Sequence, residues 1–438
     1  MVSINPNHYF SPGRALGGAS DLFVGREPQF ADALRLLARN GTSIAIFGQR
    51  GIGKTSFGWQ LKGILQAGSI KKGPHPDSEI LKPLALAASE TLWIQCRKGM
   101  RDVTGVLLAL LQPAVGKDKT LQSVKRDSLL TPTEVTEIKR VVELNLGVGK
   151  FGSQVTKSAK DRPSSTEEQR AIELSSNESQ AWDLFYQTIK KLADRIEREV
   201  IVFVDEFDGL PQRLGMGHLI KECKDARFVV VGIAESSQEI LEDSPSGQRW
   251  VRDLPILPFS EEEVDAVFAN AEAISARKSP QCTLHFDSEY KDLVFEGTGG
   301  HPDLVHEYGY ETLEYARDKS SGSKLVLNKA LFDEVDNRIY NQDSNQPHIQ
   351  RIREAVRDVA RRERILHALC KFPHGWVEEL ELADALSKGA RKQFGPNLDA
   401  LKAAGIIEKD ASGDRVRFTF PRDRQVILNL IRNNVTLT

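Results

Sequence analysis

Over the first 260 residues, short apolar runs alternate with stretches of helical periodicity. The runs Ser43 to Phe47, Thr91 to Cys96, Val200 to Val204, Phe228 to Ile233 and Leu254 to Phe259 are each five or six residues long. Apolar runs of that length mark strands buried on both faces, as in a parallel sheet. The last run contains Pro255 and Pro258, which suit an edge strand because proline cannot donate to a ladder. Between the runs, Ser56 to Leu65, Val103 to Leu111 and Trp182 to Arg198 predict helices, the last with apolar residues at Trp182, Phe185, Ile189, Leu192 and Ile196. A further helix start falls at Ala234 to Leu241. Five strands with intervening helices predict an α/β fold built on a doubly wound parallel sheet, which takes ligands at its carboxyl edge.

The pattern changes twice. From about Gly116 to Gln180 the chain is polar and turn-rich, which predicts an insertion, with a hairpin over Val141 to Val155. Its GVGKFG segment has no apolar strand before it and no Ser or Thr after Lys150, so it is not a phosphate loop. After Ser260, a capping residue followed by Glu261, Glu262 and Glu263, the pattern is helical to about Asn341. One Gly-rich break, Glu296 to Gly309, places Pro302 near the start of a new helix. The tail predicts a long basic helix from about Ile349 to Cys370, a second from Val377 to Leu386 and a third from Gly395 to Ala404. Strands Ile406 to Glu408 and Val416 to Phe420 follow, joined by a turn over Asp410 to Asp414. Helices followed by a two-stranded wing make a winged helix. Arg391, Lys392 and Lys402 would decorate its third helix, and Arg415 and Arg417 its wing. The expected domains are a core over 1–260, a helical lid over 261–345 and a winged-helix domain over 350–438.

Composition narrows the classes. With 438 residues, 40% hydrophobic and 27% charged, the chain is neither disordered nor membrane-spanning, and a cytoplasmic protein is expected. The cysteines Cys96, Cys223, Cys282 and Cys370 stand singly, which excludes a disulfide framework and zinc-ligand spacing. The net charge of −2 hides an asymmetry, since residues 350–438 hold 17 Lys/Arg against 12 Asp/Glu and the rest therefore carries −7. A basic tail fits either a polyanionic partner or a solvated helical surface.

Two segments carry chemistry. Gly48 to Thr55, GQRGIGKT, fits the phosphate-cradling pattern GxxxxGK[ST] with a strand before it and a helix after it. Gly48, Gly51 and Gly53 let backbone N–H groups turn inward around an anion, with Ile52 between them and Ser56 just beyond. Lys54 would reach the β- and γ-phosphates, and Thr55 would give its hydroxyl to Mg²⁺. The second segment, EVIVFVDEFDGL, ends a buried strand in Asp205 and Glu206, so two carboxylates reach the carboxyl edge. Asp205 suits a Mg²⁺ contact and Glu206 a base that orients water. ATP and Mg²⁺ are the expected cofactors.

These motifs, with FVGRE (Phe23 to Glu27), VVVGIAES (Val229 to Ser236), LPFSEEE (Leu257 to Glu263) and GGHPDLVHEYG (Gly299 to Gly309), resemble the AAA+/STAND group of P-loop ATPases, closest to the origin-recognition and replication-initiator ATPases. The resemblance implies a P-loop NTPase core with a five-stranded parallel sheet, a helical lid and a C-terminal winged helix. It puts Val24 against adenine, Ser236 at the γ-phosphate sensor, where Asn, Thr or Arg is usual, and Arg249 in the role of a neighbouring subunit's arginine finger, with Arg252 second. It also puts His301, Pro302 and His306 where the lid reads nucleotide state. A switch that forms a homo-oligomer on ATP binding and holds double-stranded DNA through 350–438 is one implied function. The other is a signalling or defence scaffold whose winged helix binds protein and recruits an effector. A metabolic kinase is disfavoured by the paired acids. No membrane partner is implied.

Overall fold

In a computed structural model of the chain, the structure describes residues 5–111 and 178–435, apart from 18–19, 73–74, 76–77, 85–87, 242–248, 279–282, 320–323, 373–374 and the single positions 99, 358 and 411. The polar insertion, but for its last residues, and Cys282 lie outside the described residues.

The core is one parallel sheet of β1 (Ser43–Phe47), β2 (Thr91–Gln95), β3 (Val200–Asp205), β4 (Ala226–Gly232) and β5 (Val251–Pro255), in the order β2-β3-β4-β1-β5. Every residue of β1 and β3 is buried, as their apolar runs predict. Alternate residues feed two cores. Ala45, Val202, Val204 and Val230 pack with α3 (Val103–Leu111) and α4 (Glu178–Ile196), whereas Ile44, Ile46, Ile201, Phe203 and Val229 pack with Phe30 of α1 (Glu27–Leu37) and Phe57 of α2 (Lys54–Ala67). Because β4 separates β1 from β3, the segments leaving β1 and β3 open at the same carboxyl edge, on either side of β4. The short helices α5 (Met216–Glu222) and α6 (Ser237–Leu241) complete the core, α6 starting three residues later than Ala234.

The fifth strand departs from expectation. It is Val251–Pro255, not Leu254 to Phe259, and only Val251 and Leu254 along it are buried. Val251 and Leu254, three positions apart, feed the cores on opposite faces of the sheet, and the apolar run that imitates a strand is a loop whose Ile256 and Phe259 are buried by neighbours.

Beyond the sheet, α7 (Glu261–Lys278), α8 (Ser288–Thr298), α9 (Pro302–Lys319) and α10 (Lys329–Tyr340) form a helical layer. It is not wholly helical. β6 (Thr283–Phe286) and β7 (Lys324–Leu327) pair in parallel, four residues each, too short for the sequence pattern to separate from the flanking helices. Phe10, Phe268, Phe286, Tyr290, Tyr308 and Phe332 form the aromatic centre of this layer.

The C-terminal module holds α11 (Gln346–Val356), α12 (Ala360–Leu369), β8 (Val377–Glu378), α13 (Glu379–Asp384), α14 (Lys388–Arg391), α15 (Phe394–Ala403), β9 (Ile407–Lys409), β10 (Arg415–Phe418) and α16 (Pro421–Arg432). β8, β10 and β9 form an antiparallel sheet in that order. The single long helix expected over Ile349 to Cys370 is two helices. Its buried stripe steps from Val356 to Ile365, nine residues on and half a turn out of phase at 100° per residue, so the chain bends to keep both stripes inward. The helix expected from Val377 begins as the strand β8, and α16 was not anticipated. α16 ties the module to the lid: Gln425 Nε2 donates to Tyr308 Oη at 3.1 Å, and Asn429 Nδ2 donates to Asp336 Oδ2 at 2.8 Å. Among the described residues, no helix is long and apolar enough to cross a membrane.

Candidate active site

The loop after β1 turns tightly because its glycines adopt angles other residues avoid. Gly48 has φ 149° and Gly51 φ 79°; a Cβ on Gly48 would lie 2.5 Å from the Ile256 carbonyl oxygen, and one on Gly51 2.7 Å from the His301 ring. The loop opens into α2, so Lys54 and Thr55 sit in its first turn. The Lys54 ammonium donates to the Gly48 and Gln49 carbonyl oxygens at 2.9 and 2.7 Å. Burial lowers its pKa to about 8, against the opposing pull of Asp208 and Asp205.

Asp205 ends β3 and is 1% exposed. The Thr55 hydroxyl donates to its Oδ1 at 3.1 Å, and its Oδ2 is buried without a partner. Burial raises its pKa to about 6, opposed by the Thr55 hydrogen bond. An ionisable oxygen left bare beside a Thr hydroxyl is a site for a hard cation, and this donor set fits Mg²⁺. Glu206 follows at φ 54°, a left-handed conformation that costs a glutamate of order 1 kcal/mol or more. Its exposed side chain lines the same cavity as Lys54 and Thr55. Asp208, which the sequence pattern did not single out, accepts the Ile233 N–H at 2.8 Å and so ties the turn after β3 to the end of β4.

That cavity is about 390 Å³. Gly51 to Ser56 form its floor, Leu22, Phe23, Val24 and Phe259 an apolar wall, Pro302, Asp303 and His306 of the helical layer a second wall, and Ser11 with Gly13 to Leu16 a third. Arg26 braces the apolar wall: it stacks over Phe259 at 4.5 Å, donates to the Leu257 and Ile52 carbonyls, and gives its backbone N–H to Glu263 Oε1 at 2.6 Å. Burial lowers its pKa to about 10.

The remaining expected residues are dispersed. His301 is buried, and its Nε2–H donates to the Arg50 carbonyl at 2.9 Å, so it touches the backbone of the phosphate loop rather than lining the cavity. His306 lines the cavity and accepts the Ser11 N–H on Nδ1 at 3.4 Å. Ser236 caps α6, accepting the Glu239 N–H at 3.3 Å, and does not line the cavity. Arg249 is exposed on the turn before β5, where the adjoining Trp250 carbonyl accepts the N–H of Ser43, the first residue of β1. That is the edge of the sheet opposite the phosphate loop.

The segment Asn5 to Gly17 was missed altogether, because a turn-rich run without periodicity carries no sequence signal of where it packs.

Comparison with family models and with curated proteins gives no match. Among solved structures, a Walker-type ATPase of Pyrococcus abyssi is 16% identical with a TM-score of 0.48, covering 95% of this chain and 99% of that one. The ORC1 protein of Aeropyrum pernix in complex with DNA is 14% identical with a TM-score of 0.39, covering 95% and 94%. The RuvB Holliday junction branch migration motor of Thermotoga maritima is 11% identical with a TM-score of 0.37, covering 91% and 95%. The chain is thus similar, over nearly its whole length, to ORC- and RuvB-type ATPases. The strand order and phosphate loop described above are those of a P-loop NTPase fold.

Proposed function

We propose that this protein binds ATP with Mg²⁺ and hydrolyses it slowly, as a switch whose nucleotide state sets its assembly and the position of a C-terminal winged-helix domain. The observation that carries this is the Thr55–Asp205 hydrogen bond at 3.1 Å, which leaves Asp205 Oδ2 bare at the edge of the cavity that Lys54 and Glu206 share. Thr55 and Asp205 would hold the ion, which supplies charge neutralisation on the phosphates. Lys54 exchanges its two loop carbonyls for phosphate oxygens, and the glycine loop directs backbone N–H groups at the same anion. Glu206 orients water for in-line attack and accepts its proton as the bond from the γ-phosphorus to the bridging oxygen breaks. Val24 and the apolar wall take the base. Pro302 and His306 read the ligand from the lid side, and His301 does so through the Arg50 carbonyl. Arg249, at the far edge, would serve a neighbouring subunit's site, with Ser236 the candidate for sensing the γ-phosphate after rearrangement of α6.

For the winged helix, the DNA reading rests on the exposed Lys392 and Lys402 of the third-helix region. A specific observation favours the protein-binding reading: Arg417 of the wing is already paired with Glu235 of the core and Glu408, and Arg415 with Asp410 at 2.8 Å. The wing arginines are therefore engaged in cis, and an effector or the core itself is the better-supported partner than a duplex.

Equilibrium binding of a fluorescent, non-hydrolysable ATP analogue tests the site: Lys54→Ala should abolish it, and undiminished binding removes the nucleotide reading. Molar mass by light scattering with and without the analogue tests assembly, where an unchanged monomer removes the oligomer. Retention of the full chain on duplex DNA at low salt, lost on Lys392→Ala with Lys402→Ala, would restore the DNA reading.

A further inference from the structure

We infer that Arg14, on the N-terminal segment that straps the lid to α2, contacts the phosphate chain of the nucleotide in cis and supplies the cation that the lid helix lacks. This rests on the nucleotide reading above. The strap is held on both sides of Arg14. Before it, Ser11 N–H donates to His306 Nδ1 at 3.4 Å and Gly13 N–H to Asp303 Oδ1 at 2.6 Å. After it, Leu16 N–H donates to Ser56 Oγ at 3.0 Å, and Gln60 Nε2 donates to the Gly17 carbonyl at 2.7 Å. Phe10, with no exposed surface, anchors the strap in the lid core against Phe268 and Phe286.

These anchors fix which end of the cavity Arg14 faces. Asp303 packs against the phosphate loop, its Cβ 3.3 Å from where a Cβ on Gly51 would lie, and Ser56 directly follows Thr55. Arg14 lines the cavity between them, together with Arg50, Lys54 and Glu206. Among the described residues it has no hydrogen bond or ion pair. The other cations differ: Arg26 is spent on two carbonyls, and Arg50 and Lys54 belong to the loop itself.

Charge supplies the reason for a cation here. The lid's first turn, at the start of α9, offers Asp303 and an imidazole, and among the described residues no Lys or Arg of the lid lines the cavity. Asp205, Glu206 and Asp208 add carboxylates around Lys54. With Arg26 engaged by carbonyls, a polyphosphate entering this space meets only the loop cations Arg50 and Lys54, beside Asp303 and Glu206, unless the strap contributes. An arginine fork is suited to phosphate oxygens, which it can engage with two parallel N–H donors.

The test is calorimetric binding of a non-hydrolysable ATP analogue and of adenosine to the full chain, comparing the parent with Arg14→Ala and Arg14→Lys, and the melting temperature of each without ligand. Loss of one charge-assisted contact should weaken the analogue about tenfold in Arg14→Ala. Adenosine affinity and melting temperature should stay at parental values, with Arg14→Lys recovering most of the loss. Parental affinity in Arg14→Ala overturns the inference while leaving the nucleotide reading intact. An equal loss of adenosine affinity, or a Lys variant as weak as the Ala variant with a lowered melting temperature, assigns Arg14 a packing role and also overturns it. No binding by the parent removes the nucleotide reading and the inference together.

Discussion

Trp376 donates its indole N–H to Glu235 Oε2 at 2.8 Å, across 141 positions of the chain. Glu235 lies three residues past the end of β4, and Trp376 directly precedes β8 of the C-terminal module. Arg417 closes the clasp, stacking over the Trp376 ring at 4.2 Å while pairing with the same carboxylate. The Arg417 side chain is 15% exposed and Glu235 41%, so the pair is partly desolvated. Gln49 of the phosphate loop reaches the Phe418 carbonyl at 3.5 Å beside it. The β10 end of the module is thus seated on the segment leaving β4 and on the loop between β1 and α2.

This contact should show as coupling. In a double-mutant cycle of Glu235→Ala with Trp376→Phe, unfolding free energies should deviate from additivity by about 1 kcal/mol. Additive effects would mean that the clasp does not hold the module.

Asp205 should trade stability for ion binding. Its pKa in the folded state, raised to about 6, lies above the carboxylate's ordinary value of 3.8. Between those values the folded protein keeps a proton that the unfolded chain has lost, so stability falls as pH rises and the cost is complete above about 6. Asp205→Asn, which retains an oxygen for Thr55, should raise ligand-free stability at pH 8 by about 3 kcal/mol. The same variant should lose the rise in melting temperature that Mg²⁺ with nucleotide gives the parent. A less stable Asn variant would contradict the assignment.

The lid latch should fail in acid. Burial lowers both His301 and His306 to about 4, against the pull of Asp303 on each, while the Arg50 carbonyl also raises His301 and Arg422 and Lys54 lower it. Between about 4 and the ordinary value of 6.5 the unfolded chain binds protons that the fold refuses, so stability is lost as pH falls through that window. At pH 5 the loss should be about 2 kcal/mol per imidazole relative to pH 7.5. Asp205 acts with the opposite sign below about 6, so the check is the difference between the parent and a His301→Asn, His306→Gln variant, whose melting temperature should vary less over pH 5 to 7.5. An equally steep variant would exclude these imidazoles.

Glu206→Gln should keep analogue affinity near the parental value while lowering turnover by about 10²-fold or more, since it removes the proton acceptor alone. Turnover at the parental rate would take the base role away from Glu206.

Much of the core was legible because its signals are local. β1 and β3 are buried on both faces, and that environment writes a continuous apolar run into the sequence, so Ser43 to Phe47 matches β1 at both ends. The phosphate loop was legible for a related reason: its glycines and Lys54 act within eight consecutive residues. Edge strand β5 and the four-residue strands β6 and β7 were misplaced or missed, since three exposed residues in five, or a short span, leave too little pattern. The bend between α11 and α12 was written in the half-turn phase step from Val356 to Ile365, a signal hidden by the basic residues around it.

The sequence by itself determined the order of the strands along the chain, the phosphate loop and the acidic pair at Asp205 and Glu206, because hydrophobic period and glycine conformation are properties of neighbouring residues. Only the tertiary structure decided that Thr55 meets Asp205 across 150 positions, that Arg14 lines the same cavity as the phosphate loop, and that Arg417 faces Glu235 instead of solvent. Pairings at such separations follow from sheet order and from helix packing against distant surfaces. A charged side chain leaves the same trace in a sequence whether it is solvated or clasped.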